Sequence, residues 1–268
     1  MSRTRQSVSV WRPEPRPGGV RSLSYDYPSG HRVAPHVHEW HQLVYAAQGV
    51  MTLSTDAGAW IVPPHRAVWM PANVEHAIRM SGAVSMRTLY IRTGIAHDLP
   101  RDCRIVDVPP LLRELILRAV ELGSLDARIP AHRHLLAVLL DQIRTLRSSG
   151  VHLPRPRDAR ARRLASQLEE APGDRRTLAA LARRSGASVR TLQRIFRAET
   201  GMTFGTWRQQ LRLGHALQAL AAGGSVTAVA LDAGYASVSA FVSAFRRTFG
   251  QPPARFLRRR RTASAPSS

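Results

Sequence analysis

The chain changes its hydrophobic periodicity along its length. Between residues 21 and 92, short runs of β-branched and aromatic residues alternate with Gly and Pro, a pattern typical of an antiparallel sandwich or small barrel. The predicted strands are 41–46, 50–55, 60–62, 67–70, 76–80 and 84–91. We therefore expect the first part of the chain to be rich in β-sheet.

A helical period of 3.6 residues follows in two segments, 109–123 and 131–146. Each segment places its apolar residues on one face: Leu112, Leu115, Ile116 and Ala119 in the first, and Leu135, Leu136, Leu139 and Ile143 in the second. Leu117 and Leu140 lie off the main stripes. The two helices either cap the sheet or form a dimer interface, and the residues leave both interpretations open.

The chain beyond residue 158 is predicted to be helical and contains an internal repeat. Leu178, Ala182 and Gly186 recur 48 residues later as Val226, Ala230 and Gly234, and Ser188, Leu192, Phe196 and Gly201 recur 49 residues later as Ser237, Phe241, Phe245 and Gly250. In each copy a Gly ends one helix and a Ser is placed to cap the next. Each copy therefore predicts a helix-turn-helix. Thr203 is placed to cap a connecting helix over 204–222.

The charge distribution separates the two parts of the chain. The net charge is +21, and all 39 basic residues are arginine. Residues 1–150 contain 18 Arg and 12 acidic residues, a net +6, whereas residues 151–268 contain 21 Arg and 6 acidic residues, a net +15. The second part is therefore expected to face a polyanion.

Composition excludes several classes of protein. An apolar fraction of 44% excludes disorder along the whole chain, and the single cysteine, Cys103, excludes a disulfide framework or a zinc site built on several thiolates. No apolar run reaches the length of about 18–20 residues that a membrane span needs, and no signal-peptide segment is present. We expect a cytoplasmic protein with no membrane partner.

The repeated segment resembles the DNA-binding domain of the AraC/XylS family of bacterial transcription regulators. The resemblance covers residues 176–258 and is carried by Leu-Ala-Ala-Leu-Ala at 178–182, Glu-Thr-Gly-Met-Thr-Phe at 199–204, Gly-Tyr-Ala-Ser at 234–237, Ala-Phe-Arg-Arg at 244–247 and Phe-Gly-Gln-Pro-Pro at 249–253. It implies two recognition helices that enter successive major grooves on one face of double-stranded DNA. It also implies that the DNA-binding domain is monomeric. For the whole protein we expect a small-molecule effector, a homodimer and RNA polymerase as a further partner.

Carried over position by position, the resemblance assigns the DNA contacts. Those to bases are Arg190, Gln193 and Arg194 in the first recognition helix and Ser239, Val242 and Ser243 in the second. Guanidinium groups pair with guanine and a Gln amide matches adenine, whereas small side chains discriminate less, so the first helix is expected to dominate sequence choice. The predicted phosphate contacts are Ser188, Arg208, Arg212, Ser237, Arg246 and Arg247, and the basic run 258–261 is expected to add salt-dependent affinity.

Nine of the eleven histidines lie before residue 151. Gly30, His36, His38, Gln42 and His76, with Pro71 five residues before His76, resemble the two motifs of the cupin barrel. An H-x-H pair on a strand places both imidazoles on one face, and a third His can complete a metal site. Metal-binding cupins usually have a glutamate where this chain has Gln42. Glu39 and His41 are nearby, but His41 is expected to point away from Gln42.

Three interpretations of this cluster remain open. We favour an effector pocket with no tightly held metal; the others are a divalent metal on His36, His38 and His76, and ordinary hydrogen-bonded histidines. The predicted pocket comprises His36, His38, Gln42, Tyr45, Trp69 and His76.

Together these features predict a multidomain α+β protein that is not an enzyme. Its predicted parts are a disordered arm (1–20), a cupin-like sensory β-barrel (21–98), a helical segment for dimerisation or capping (99–147), a linker (148–157), an all-α double helix-turn-helix domain (158–262) and a disordered tail (263–268). The predicted function is effector-controlled, sequence-specific transcription regulation, by activation or repression. The alternatives are a cupin metalloenzyme tethered to DNA and an architectural nucleoid protein.

Overall fold

The computed structural model describes residues 9–10, 18–148 and 150–256. The chain divides into two compact units. The first runs up to Asp56 and continues over Trp60–Gly150, and the second joins Ala57–Ala59 to the chain from Val151 onward. The predicted tail and the basic run 258–261 lie outside the described residues.

The first unit is dominated by antiparallel strands. Their bounds are β1 Ser9–Val10, β2 Val20–Tyr27, β3 Arg32–Val37, β4 His41–Thr55, β5 Gly58–Val62, β6 Arg66–Met70, β7 His76–Ile91, β8 Arg104–Asp107 and β9 Ser124–Leu125. The long strand β7 pairs with β4 and also with β2 and β3. Strand β4 pairs in addition with β6, which pairs with β8.

The predicted runs 41–46 and 50–55 form one strand, β4, and 76–80 and 84–91 form β7. The expected turns are absent from these two strands because the chain passes through irregularities in register between Ala46 and Val50. Gly49 and Gly82 adopt φ values of 77° and 72° there, which glycine tolerates at low cost.

Two helices follow the sheet in the sequence. Helix α1 spans Pro110–Leu122 and α2 spans Pro130–Arg144, each with proline at its start, where the missing N–H costs no hydrogen bond. Gly123 ends α1 in the left-handed conformation. A short 3₁₀ helix, Thr93–Ile95, lies before them.

Two sequence-predicted boundaries in the first unit need correction. The segment 99–147 is not wholly helical, since β8 extends the sheet beyond residue 98 by pairing with β6 and burying Ile105 and Val106. The arm 1–20 contains β1, which pairs in parallel with β3, and it ends before Val20, the first residue of β2. The rest of that arm up to residue 17 lies outside the described residues.

Apolar residues on alternate positions of β4 enter two different cores. Leu43 and Tyr45 pack in a cluster with α1 and α2 residues such as Ile116 and Leu139. Val44 and Ala46 pack in a second cluster, inside the sheet, with residues that include Met70, Ile78 and Met86. The period of two along a strand therefore separates the helix-facing side of β4 from the interior.

The second unit is helical apart from β10, Val151–Pro154, and the first two residues of β5. Its helices are α3 Ala159–Glu170, α4 Leu178–Ser185, α5 Val189–Thr200, α6 Phe204–Ala221, α7 Val226–Asp232 and α8 Val238–Phe249. Helices α4 and α5 form one helix-turn-helix and α7 and α8 the other, with α6 between them. Each begins at a capping residue whose side chain accepts a backbone N–H: Asp158, Thr177, Ser188, Thr203, Ser225 and Ser237.

The predicted linker 148–157 overlaps ordered structure. Leu153 is buried in the core of the second unit, and the indole Nε1 of Trp207 donates to the Pro154 carbonyl at 2.8 Å. The Glu199 carboxylate accepts from the backbone N–H groups of Arg157 and Asp158. Residues 151–157 therefore belong to the second unit, because these contacts hold the segment against its helices.

Across the described residues, no helix is both long and apolar enough to cross a membrane.

We predict that Ala182→Leu destabilises the second unit. Ala182 is buried beside α5 in the core of this unit, so a larger side chain there overpacks the helix pair and lowers the free energy of unfolding by about 1–3 kcal/mol. Denaturant unfolding followed by the far-ultraviolet circular dichroism of the helices measures it. Ala179→Leu, at an exposed position of the same helix, is the control. Equal stabilities of the two variants would contradict the packing.

Candidate functional site

Helix α5 presents one polar face to solvent. Its other face buries Leu192, Ile195 and Phe196, so the helix orientation is fixed by the core. Arg190, Gln193 and Arg194 are exposed, and Arg197 is exposed on the same face. Sequence reasoning missed Arg197, although the spacing from Arg190 to Arg194 and Arg197 places all three within two turns of one helix face.

Helix α8 repeats this arrangement with smaller side chains. Phe241 and Phe245 are fully buried, while Ser239 and Ser243 are exposed. Val242 is only half-buried, and Arg246 and Arg247 are exposed at the last turn. The exposed face of α8 therefore offers hydroxyl and methyl groups with two arginines at its carboxyl end.

Arg208 and Arg212 on α6 already hold part of the second unit together. An Nη1 N–H of Arg208 donates to the Arg176 carbonyl at 2.7 Å, and Nη2 of Arg212 donates to the Asp174 carbonyl at 2.6 Å. Each guanidinium carries five N–H donors, so both residues have further N–H groups. The predicted phosphate contacts of Arg208 and Arg212 therefore stay predictions.

The loop tied by these arginines lies against the second helix-turn-helix. A Cβ on Gly173 would lie 2.2 Å from the Asp232 carbonyl oxygen, and one on Gly234 would lie 2.7 Å from the Gly173 oxygen. Only glycine permits such a close backbone approach. This contact joins the chain that leads into the first copy to the turn of the second, so α6 is not the sole connection between the two recognition helices.

In the first unit, three histidines converge. One donor atom each from His36, His38 and His76 lies within 4.8 Å of the others. Nδ1 of each ring is within 2.7–2.9 Å of a backbone carbonyl two residues away, that of Ala34, Trp40 or Val74 respectively. Each Nδ1 must therefore donate, which leaves Nε2 as the lone-pair nitrogen, the state in which histidine ligates a metal.

The environment keeps His38 and His76 neutral. Burial lowers the pKa of His38, and it lowers the pKa of His76 to about 3. Among the described residues, Nε2 of His76 is buried and has no hydrogen-bond partner, which is costly unless a ligand supplies one. Three converging imidazole nitrogens are a suitable ligand set for a divalent transition metal.

Gln42 lies beside the histidines. Its Oε1 is 3.2 Å from His38 Nε2, and its Nε2 donates to the Thr88 hydroxyl at 2.9 Å. Since His38 Nε2 carries a lone pair, two acceptors face each other. A cation bound between the two atoms would remove this repulsion. Rotation of the Gln42 amide, so that its NH2 group faces His38, would do the same.

A cavity of about 300 Å³ opens next to the cluster. It shares His36 and Gln42 with it and is otherwise lined by Tyr25, Tyr27, Val33, Ala34, Pro35, Ile78, Met86 and Tyr90. Burial raises the pKa of Tyr90, so its hydroxyl stays protonated. The mixture of aromatic rings, aliphatic groups and a few polar atoms is typical of a small-molecule pocket.

The structure corrects part of the predicted pocket. Tyr45 and Trp69 do not line the cavity; both are buried in the helix-facing core, and the indole Nε1 of Trp69 donates to the Pro100 carbonyl. Tyr45 lies an odd number of positions from Gln42, so the strand turns it to the opposite side. His41 points away as expected, with Nδ1 accepting from the Ala72 N–H.

Sequence reasoning missed the three cavity tyrosines. Tyr90 is the register partner of Gln42, and Tyr25 and Tyr27 share a face of β2 because they are two residues apart. The spacing of Tyr25 and Tyr27 in the sequence indicates that both lie on one face of a strand. The position of Tyr90 opposite Gln42 depends on the register of the two strands, which the sequence pattern does not give.

Comparison with known proteins identifies two families along the chain. The AraC-like ligand binding domain family matches residues 19–184, and a helix-turn-helix domain family matches residues 181–259. The chain is 34% identical to the HTH-type transcriptional regulator NimR of Escherichia coli over 233 residues, which are 87% of this chain and 85% of that protein.

Two further similarities cover different shares of the chain. The HTH-type transcriptional regulator RipA of Corynebacterium glutamicum is 41% identical over 104 residues, 39% of this chain and 31% of RipA. The crystal structure of ToxT from Vibrio cholerae with a bound unsaturated fatty acid is 12% identical, with 89% of this chain and 94% of ToxT covered and a TM-score of 0.38. From the ligand-binding family match and the similarity to NimR along most of both chains, the protein belongs to the AraC/XylS family of transcriptional regulators.

Proposed function

We propose that the protein regulates transcription by reading a specific DNA sequence mainly through α5, under the control of a small molecule bound in the first unit. The observation that carries the first part is the exposed face of Arg190, Gln193, Arg194 and Arg197 on a helix whose other face is locked into the core. Three guanidinium groups and one amide on one face suit the acceptor-rich edges of guanine and adenine in the major groove.

Helix α8 contributes less to sequence choice. Its exposed Ser239 and Ser243 can bond to almost any base, and Val242 is only partly accessible. Arg246 and Arg247, at the last turn, are placed for phosphate contacts, which fix position without reading sequence.

We predict that Arg194→Ala and Arg246→Ala impair DNA binding in different ways. Loss of Arg194 relaxes the preference at one base position by about 1–3 kcal/mol. Loss of Arg246 weakens binding to all DNA sequences alike. It also lowers the salt slope, the steepness with which the logarithm of the binding constant falls with the logarithm of the salt concentration, by about 1. Sequences selected from a random duplex pool, followed by anisotropy titrations at several salt concentrations, measure both effects. An unchanged preference profile for Arg194→Ala would show that α5 does not read bases through this residue.

We further propose that the sensory site holds a divalent transition metal on His36, His38 and His76. The support is the convergence of three lone-pair nitrogens, each oriented by its own Nδ1 hydrogen bond, with Nε2 of His76 buried. Gln42, a neutral oxygen donor, lies beside this set. When bound, the metal would supply open coordination positions for an effector's nitrogen or oxygen atom.

The chain's own residues give the pocket its selectivity. Tyr25, Tyr27 and Tyr90 offer ring faces and hydroxyls, and Ile78 and Met86 supply an apolar wall. The effector is therefore a small, partly aromatic or apolar molecule with one or two polar atoms. Since the relatives are regulators, we infer that this site senses its ligand rather than transforming it. To control transcription, the ligand has to bind one state of the protein more tightly than another.

We predict that His76→Ala abolishes metal retention. After expression with added transition metals, elemental analysis of the wild type is expected to give about one equivalent, since three preformed imidazole ligands suffice for a protein site. His76→Ala, which removes one of the three, is expected to give less than a tenth.

His41→Ala is the matched control, because His41 lies on the other side of β4 and bonds to the Ala72 N–H. It is expected to retain the metal. Less than a tenth of an equivalent in the wild type would refute the metal proposal and leave an effector pocket without metal.

The third proposal is a homodimer formed through α1 and α2. Leu111 on α1, Val138 on α2 and Ile129 at the start of α2 are exposed large apolar side chains, although both helices bury their opposite faces in the sheet-facing core. A second copy of the chain would bury the same apolar face on each subunit in a two-fold interface.

We predict that Val138→Asp converts the dimer to a monomer, because a carboxylate cannot be buried unpaired in an apolar interface. Sedimentation velocity of the full chain measures the change. Ala137→Asp, also exposed on α2, is the control and should remain dimeric. A monomeric wild type at micromolar concentration would count against the proposal.

A further inference from the structure

A basic cavity lies between α6 and α8 of the second unit. Its volume is about 350 Å³, and it is lined by Gly205, Arg208, Gln209, Arg212, Tyr235, Ala240, Ala244 and Arg247. The lining residues come from the connecting helix, the turn before α8 and α8 itself. The cavity adjoins the exposed face of α8, and Arg247 belongs to both.

The lining contains three guanidinium groups and no carboxylate. Asp174, which is close enough to influence Arg212, pairs with Arg176 instead. Burial lowers the pKa of Arg212, and the charges of Arg208 and Arg175 lower it further. Positive charge is thus concentrated here beyond what neighbouring carboxylates balance, which favours an anionic ligand.

The Tyr235 hydroxyl adds a neutral donor. Its ring packs edge-on against Phe241 with centroids 5.3 Å apart. The hydroxyl oxygen is buried and forms no hydrogen bond with any other part of the chain that the structure describes. Burial raises the pKa of this phenol, so the group keeps its proton. A buried donor without a partner is costly, and a ligand oxygen in the cavity would satisfy it.

We infer that this cavity binds a phosphoryl anion, and that in the working protein the anion is a backbone phosphate of duplex DNA, held by the Tyr235 hydroxyl and by N–H groups of Arg208, Arg212 and Arg247. The inference rests on the proposed DNA-reading function and deepens it. Because Ala240, Ala244 and Arg247 belong to α8, a phosphate held there sets the position of the weaker recognition helix on the duplex. The contact is independent of base sequence.

The test is Tyr235→Phe in the full chain, with DNA affinity measured by fluorescence anisotropy over a range of salt concentrations. The ring and its packing on Phe241 remain, so only the hydroxyl is lost. Affinity is expected to fall about tenfold on preferred and unrelated duplexes alike, which corresponds to one hydrogen bond to a charged group. The salt slope is expected to stay unchanged, since a neutral donor displaces no counterion.

Arg247→Ala gives the complementary result. It is expected to weaken binding on every duplex and also to lower the salt slope by about 1. If both side chains hold the same phosphate, the double variant should lose less affinity than the product of the two single losses. Arg101→Ala, an exposed arginine of the first unit, removes the same charge and is expected to change neither quantity.

The outcomes separate this inference from the proposed function. If the wild type binds no duplex, the DNA-reading proposal itself fails. If the wild type binds and Tyr235→Phe binds equally well, the cavity holds no DNA phosphate and the inference alone fails. A third experiment measures thermal unfolding with inorganic pyrophosphate. If pyrophosphate stabilises the wild type but not Tyr235→Phe, and the two proteins bind DNA equally well, the cavity binds a free anion. That result would overturn its role in DNA binding.

Discussion

The alternation of side chains along β4 is the constraint on which the sensory unit depends. One strand has to supply two cores, because Leu43 and Tyr45 pack with α1 and α2 whereas Val44 and Ala46 face the interior. Gln42 therefore faces the histidines while Tyr45, three positions later, cannot. The same rule turns His41 towards the Ala72 N–H. A shift of one residue in the register of β4 would exchange the apolar core for the polar cluster, so the site and the helix-facing core are specified together.

In the second unit, arginine serves two physical purposes. Arg208 and Arg212 donate to the backbone carbonyls of Arg176 and Asp174 and thereby hold the loop before α4 against α6. Arg175 donates to the Tyr235 carbonyl and ties the same loop to the second helix-turn-helix. Arg190, Arg194 and Arg197 instead lie exposed on α5. A guanidinium suits both tasks because its planar, always-charged donors bond equally well to a carbonyl, a base edge or a phosphate. The strong positive charge of this unit therefore reflects internal structure as well as DNA binding.

Much of the second unit was predictable because its signals are local. The Ser and Thr caps, the helix-ending glycines and the apolar residues at i, i+3 and i+4 each depend on a few neighbouring residues, and α6 begins at Phe204 as the position of Thr203 predicts. The sheet was less predictable. Glycines that indicate turns also permit bulges, so 41–46 and 50–55 proved to be one strand. The cavity tyrosines and the contact of Gly173 with Gly234 depend on register and tertiary packing, which no local pattern encodes.

The histidine cluster shows how local geometry can prepare a site before any ligand arrives. Each Nδ1 is bonded to a carbonyl only two residues away, so the backbone of β3, of the turn after it and of the start of β7 orients the rings. Because the backbone already fixes the rings, little side-chain entropy is lost when a ligand binds. This makes the free energy of binding more favourable. Burial also keeps His38 and His76 uncharged, so no proton has to be displaced near neutral pH. In the proposed function, the remaining selectivity comes from the adjoining cavity with its tyrosines and apolar wall.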